Sequence, residues 1–81
     1  MKQDSKLIEK VYNEVFGVIE NIQKGNFNKS IDDVKQANKN YFVQDLINQG
    51  VPEKSAIRIA TNNLNETIEF TMQRFQTSFR H

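Results

Sequence analysis

Apolar residues recur along this chain at spacings of three and four, the signature of one helix face. The pattern is strongest in the last third, where Ile57, Ala60, Leu64, Ile68, Met72, Phe75 and Phe79 follow one another with no Gly between Pro52 and His81. A helix from Pro52 to Phe79 is predicted, about 40 Å long at roughly 1.5 Å per residue. Thr61-Asn62-Asn63-Leu64-Asn65 is weak helix material, because short polar side chains compete for backbone hydrogen bonds. Asn63 and Glu66 could also cap a new helix there, which would split the segment into Glu53–Thr61 and Leu64–Phe79. The apolar stripe keeps its phase across these residues, so one continuous helix is expected.

Two shorter helices precede it. Ile8, Val11, Tyr12, Val15, Val18, Ile19 and Ile22 form a stripe over about residues 5–24. Asp4 or Ser5 is placed to cap its start and Gly25 to end it. Gly17 falls inside this helix and reads as a tolerated surface position. The loop 25–30 follows, with Phe27 expected to plug the end of the core. The second helix is predicted over about residues 31–49. Its signals are Ser30 as N-cap, Asp33 in a capping-box position, and the apolar set Ile31, Val34, Ala37, Tyr41, Phe42, Leu46 and Ile47. Gly50 and Pro52 then mark a helix end and a helix start. The expected fold is all-α: a single domain over 1–81 with three helices running up, down and up.

A third helix longer than its neighbours is expected to overhang them at its C-terminal end. Phe75 and Phe79 on that overhang would need a partner surface. Ile59 and Phe70 are eleven residues apart, point nearly the same way and sit off the main stripe, so this helix is apolar on more than one side. The expected interface is therefore Ile59, Phe70, Met72, Phe75 and Phe79. The expected assembly is a homodimer, since self-association extends the small core that 81 residues can build.

Composition removes most chemistry. There is no Cys, and the single His is His81 at the end of the chain. A thiolate nucleophile, a Ser–His arrangement and a structural zinc site all lack their residues. The three glycines are far apart, so there is no phosphate-binding loop. The acidic pairs Asp32/Asp33 and Glu66/Glu69 lie off the apolar stripes and read as solvated surface. No catalytic residue, metal or cofactor is expected, and the protein is read as a non-enzyme. Charge is nearly balanced, at +1, and evenly spread, so neither a basic nor an acidic tail is present. No apolar run reaches the roughly 18–20 residues that span a bilayer, and the N-terminus has no apolar signal-peptide core. A cytoplasmic protein is expected. Abundant Asn and Gln, with Lys in excess of Arg, is a composition common in AT-rich bacteria, phages and plasmids.

Two segments resemble known modules. Residues 45–59, with a helix, the Gly50 turn, Val51, and then Ala56 and Ile57, resemble a DNA-binding helix-turn-helix core. That resemblance implies a recognition helix presenting Lys54, Ser55 and Arg58 to DNA. It departs from the pattern at Leu46, where a small residue is usual. Residues 41–70, through Leu46, Gly50-Val51, Ala56-Ile57 and Asn63–Phe70, resemble the three short helices of a UBA-type domain. That likeness implies binding to a partner protein and requires a short middle helix. The function expected from the whole chain is that of a small non-enzymatic accessory, inhibitor or regulator that binds another protein. The DNA-binding regulator is the alternative.

Overall fold

A computed structural model describes residues 3–79, with side chains described through residue 76. Three helices account for it: α1 (Ser5–Gln23), α2 (Ile31–Asn48) and α3 (Glu53–Phe79). The described backbone contains no strand. Each helix touches both of the others.

The helix limits fall within one residue of the predicted ones because their stop and start signals are local. The Asp4 side chain accepts a hydrogen bond from the Lys6 N–H at 2.9 Å and caps α1. Ser30 and Asp33 form the reciprocal capping box at the start of α2. The Asp33 N–H donates to Ser30 Oγ at 3.2 Å, and the Ser30 N–H donates to the Asp33 carboxylate at 2.9 Å. Those bonds, from the Ser30 backbone first and its side chain second, hold the Asp33 pKa below the usual carboxylate range.

Both α1 and α2 end in Schellman turns. The Asn26 N–H reaches the Asn21 carbonyl at 2.8 Å and the Gly25 N–H reaches Ile22 at 3.0 Å. The Val51 N–H reaches Leu46 at 3.0 Å and the Gly50 N–H reaches Ile47 at 2.9 Å. Val51 and Leu46 are both buried, which adds the apolar contact that accompanies such a turn. Gly25 and Gly50 have φ of 82° and 95°, a region that costs L-residues about 1–2 kcal/mol. Added Cβ atoms at Gly50 and at Gly17 would both meet open space, so only backbone conformation separates the two sites. Gly50→Ala is therefore expected to destabilise by about 1–2 kcal/mol. Gly17→Ala, at an exposed helical position, should stabilise by roughly 0.5–1 kcal/mol. Urea unfolding of the two variants checks the opposite signs.

The core is a strip of small and medium side chains. α1 contributes Val11, Val15 and Val18; α2 contributes Val34, Phe42 and Leu46; α3 contributes Ala56, Ala60, Leu64 and Ile68; and Val51 seals the α2–α3 turn. Leu7, Ile19, Ile31, Val43, Ile47 and Ile59 pack around it, partly buried. Polar residues join it where they satisfy themselves locally. Thr71 is fully buried and its hydroxyl donates to the Thr67 carbonyl one turn earlier, at 2.8 Å.

Cross-helix contacts give the helix directions. Asp4 and Gln3 meet Asp45, Lys10 lies over Tyr41, and Glu14 meets Asn38. Sequence rises on α1 as it falls on α2, so these two are antiparallel. Phe16 meets Phe75, while residues at the start of α1 share a groove with Asn63–Phe70, so α1 and α3 run the same way.

Several expectations are corrected. Phe27 does not plug the core; it is 74% exposed on a loop in which no residue is buried. Ala37 and Tyr41 are exposed, and the buried line of α2 is instead Val34, Asn38, Phe42 and Leu46, at strict spacings of four. Ile57 and Met72 are exposed, at 41% and 39%, while Ala56 and Thr71 take the buried places. α3 is one helix through Thr61–Asn65, so the short middle helix that the UBA likeness requires is not formed. Thr61 and Thr67 there bond their hydroxyls to the carbonyls of Ile57 and Asn63, both at 2.8 Å, within the helix.

Candidate functional site: an open groove between α1 and α3

The premise that Phe75 lacks a neighbour does not hold. Its ring packs edge-on against Phe16 of α1, with centroids 5.6 Å apart, and is half-buried. Tyr12 lies 5.0 Å from Phe16, so Tyr12, Phe16 and Phe75 form one row of rings inside the chain. Such pairs add about 0.5–1.5 kcal/mol beyond the area they bury. Phe75 therefore belongs to the α1–α3 contact. Phe79 is in the last turn of α3, and its side chain lies outside the described residues.

The other expected interface residues separate. Ile59 is half-buried against the core. Phe70 is 54% exposed. Phe70 and Met72 are two residues apart, about 200° around a helix with about 3.6 residues per turn, so they occupy different flanks of α3. Phe70 is on the flank that faces α1 and Met72 on the opposite one.

Beside Phe70 the two helices part into an open groove of about 840 Å³. Ser5, Ile8, Glu9 and Tyr12 form the α1 wall, and Asn63, Glu66, Thr67 and Phe70 the α3 wall. Each set falls at i, i+3, i+4 and i+7, the positions that line one side of a helix. The apolar surface comes from Ile8, Tyr12 and Phe70. Ile8 and Phe70 are exposed, and Tyr12 is half-buried. Glu9 and Glu66 are exposed, one on each wall, and among the described residues no Lys or Arg lines the groove. The Arg74 guanidinium lies 5.7 Å from the Phe70 ring, one turn further along α3 and outside the lining.

Gln3 closes the end of the groove nearest the N-terminus of α1. It is buried, and its amide donates to Asp45 Oδ2 at 2.6 Å. The same oxygen accepts from the Asp4 N–H at 2.9 Å and from Gln49 Nε2 at 3.2 Å. Asp45 thus ties the start of α1 to the end of α2 and fixes this edge of the groove. Gln3 and Asp45 are 42 residues apart, and nothing in the spacing of polar residues marks them as a pair.

The residues expected to meet DNA lie at the start of α3, away from the groove. Lys54 and Arg58 are exposed, Ser55 is half-buried, and exposed Glu53 stands beside them. The carboxylates Asp32, Asp33, Glu66 and Glu69 are all exposed. Among the described residues no three His, Cys, Asp or Glu side chains are grouped to hold a metal ion, and no helix is long and apolar enough to cross a membrane. His81 lies outside the described residues. No protein family, no curated protein and no solved structure matches this chain.

Proposed function

We propose that this protein acts by binding a partner polypeptide, without chemistry of its own, and that the α1–α3 groove is its binding face. The observation that carries this reading is the grouping of Ile8, Tyr12 and Phe70 on one open surface. Exposed apolar clusters rimmed by polar residues are the usual mark of an interaction site. An accessory, inhibitor or regulator is the kind of protein this describes.

The homodimer expected from the aromatic end of α3 enters this proposal as the alternative occupant of the same face. The overhang that called for it carries Phe75, which has Phe16 beside it, and Phe79, whose side chain lies outside the described residues. DNA binding through Lys54, Ser55 and Arg58 has less in its favour. Glu53 and the half-buried Ser55 leave that surface with little surplus positive charge for phosphates.

The test is a photo-reactive phenylalanine analogue at position 70, set beside one at position 41. Tyr41 is similarly exposed, at 57%, and its side chain lies on the α1–α2 side of the molecule. In cells that encode the protein, position 70 is expected to crosslink to a polypeptide and position 41 is not.

A further inference from the structure

We infer that the occupant of the α1–α3 groove is an amphipathic helix of another protein, with large apolar side chains on one face flanked by Lys or Arg. This rests on the groove being the binding face and adds the chemistry of what enters it. Three observations carry it.

The first is shape. Both walls run from one end to the other over seven residue steps, Ser5 to Tyr12 and Asn63 to Phe70. At about 1.5 Å per residue that is roughly 10 Å, or two helical turns. A channel between two parallel helices accepts a third helix through anchors at i, i+3 or i+4, and i+7. About 840 Å³ gives those anchors room.

The second is charge. Glu9 and Glu66 stand on opposite walls, and neither has an ion-pair partner among the described residues. The basic residues of α1 at this level are directed elsewhere. Lys6 and Lys10 line the depression on the α2 side, and the Lys10 ammonium sits 4.2 Å from the Tyr41 ring. Glu9 thus stands on the groove flank of α1, while Lys6 and Lys10 stand on the other flank beside Asp4 and Asp45. A helix with cations on both sides of its apolar stripe would place one near each glutamate.

The third is what a second copy would do. A symmetric dimer through this groove sets the same patch against itself. Glu9 and Glu66 of one chain would then approach Glu9 and Glu66 of the other, and like charges across an interface select against that pairing. A basic helix meets no such conflict.

The experiment uses the full chain and two synthetic helical peptides. Both carry Leu at i, i+3, i+4 and i+7; one has Lys at the flanking positions and the other Glu. Calorimetric titration at low salt is expected to give the Lys peptide an affinity at least about tenfold above that of the Glu peptide, with the gap narrowing as salt screens the charges. Because the chain is close to neutral, such a preference has to arise locally. The double variant Glu9→Lys/Glu66→Lys should reverse it. Phe70→Glu, at an exposed position that leaves folding intact by circular dichroism, should weaken the Lys peptide about tenfold or more. Light scattering over a tenfold concentration range should return a monomer. Equal binding of the two peptides, or a Lys preference that survives the double variant, overturns the inference. So does a dimer that Phe70→Glu splits, because a second copy then fills the groove. If neither peptide binds while position 70 still crosslinks in cells, the binding face stands and the basic-helix occupant is refuted.

Discussion

Replacing Phe42 with Ala is expected to remove about 3–5 kcal/mol of stability, the usual range for a buried Phe. The ring is fully buried at the middle of α2 and is the largest side chain in the core. The rest of the core cluster is mostly Val and Ala, short side chains that are poorly able to fill the space a missing ring would leave. A domain of this size has roughly 4–12 kcal/mol in total, at about 0.05–0.15 kcal/mol per residue. The variant should therefore lose roughly 12–40 °C of melting temperature, at about 4–8 °C per kcal/mol, or fail to fold at 37 °C. Tyr41→Ala is the control one residue away. That ring is exposed and the Lys10 ammonium lies over it, a contact that contributes about 0.5–1 kcal/mol at an open site. Thermal unfolding of the pair tests the phase of α2: similar losses at 41 and 42 would mean that the helix is rotated from the orientation described.

Asn38→Leu is expected to act in the opposite direction and to raise stability by about 1–3 kcal/mol. Asn38 is 1% exposed in the line of Val34, Phe42 and Leu46. Its amide donates to Glu14 Oε2 at 2.6 Å and to the Val34 carbonyl at 2.8 Å, but Oδ1 is buried without a partner. An orphaned buried acceptor costs about 1–3 kcal/mol. Leucine removes that cost and buries apolar area, offset in part by its larger volume. Glu14 is half-exposed, so water can replace the bond it loses. A higher urea midpoint with an unchanged slope is the expected result. A lower midpoint would mean that the Asn38–Glu14 bond contributes more than the orphaned oxygen costs. The bond joins α1 to α2.

These two residues also mark where the chain's sequence is readable. Helix limits were legible because each rests on residues adjacent in sequence: Ser30 with Asp33, Gly25, and Gly50 before Pro52. Continuity of α3 was legible from the unbroken phase of its stripe. The choice of which apolar residues are buried was not, because α3 has more of them than one face holds. Ala56 and Thr71 were passed over in favour of Ile57 and Met72. A buried Ala admits a close neighbour, and a Thr that satisfies its hydroxyl on its own helix behaves as an apolar residue. Asn38 and Gln3 were missed because their partners, Glu14 and Asp45, lie 24 and 42 residues away. The groove was legible in one residue. Phe70 stood out as apolar and off the main stripe, but Ile8 and Tyr12 read as core of α1. Only the way α1 and α3 part leaves them open on the same surface. The contact of Phe75 with Phe16 was not legible for the complementary reason, since a ring near the end of a long helix finds Phe16 only once the helices are set side by side.

The most direct test of the binding face is the mass of what crosslinks to the photo-reactive side chain at position 70 in living cells, compared with position 41. The account predicts an adduct at 70 that differs in mass from two copies of this chain, and no adduct at 41. Equal crosslinking at both positions, or none at 70, would contradict the claim that the α1–α3 groove is where this protein meets its partner.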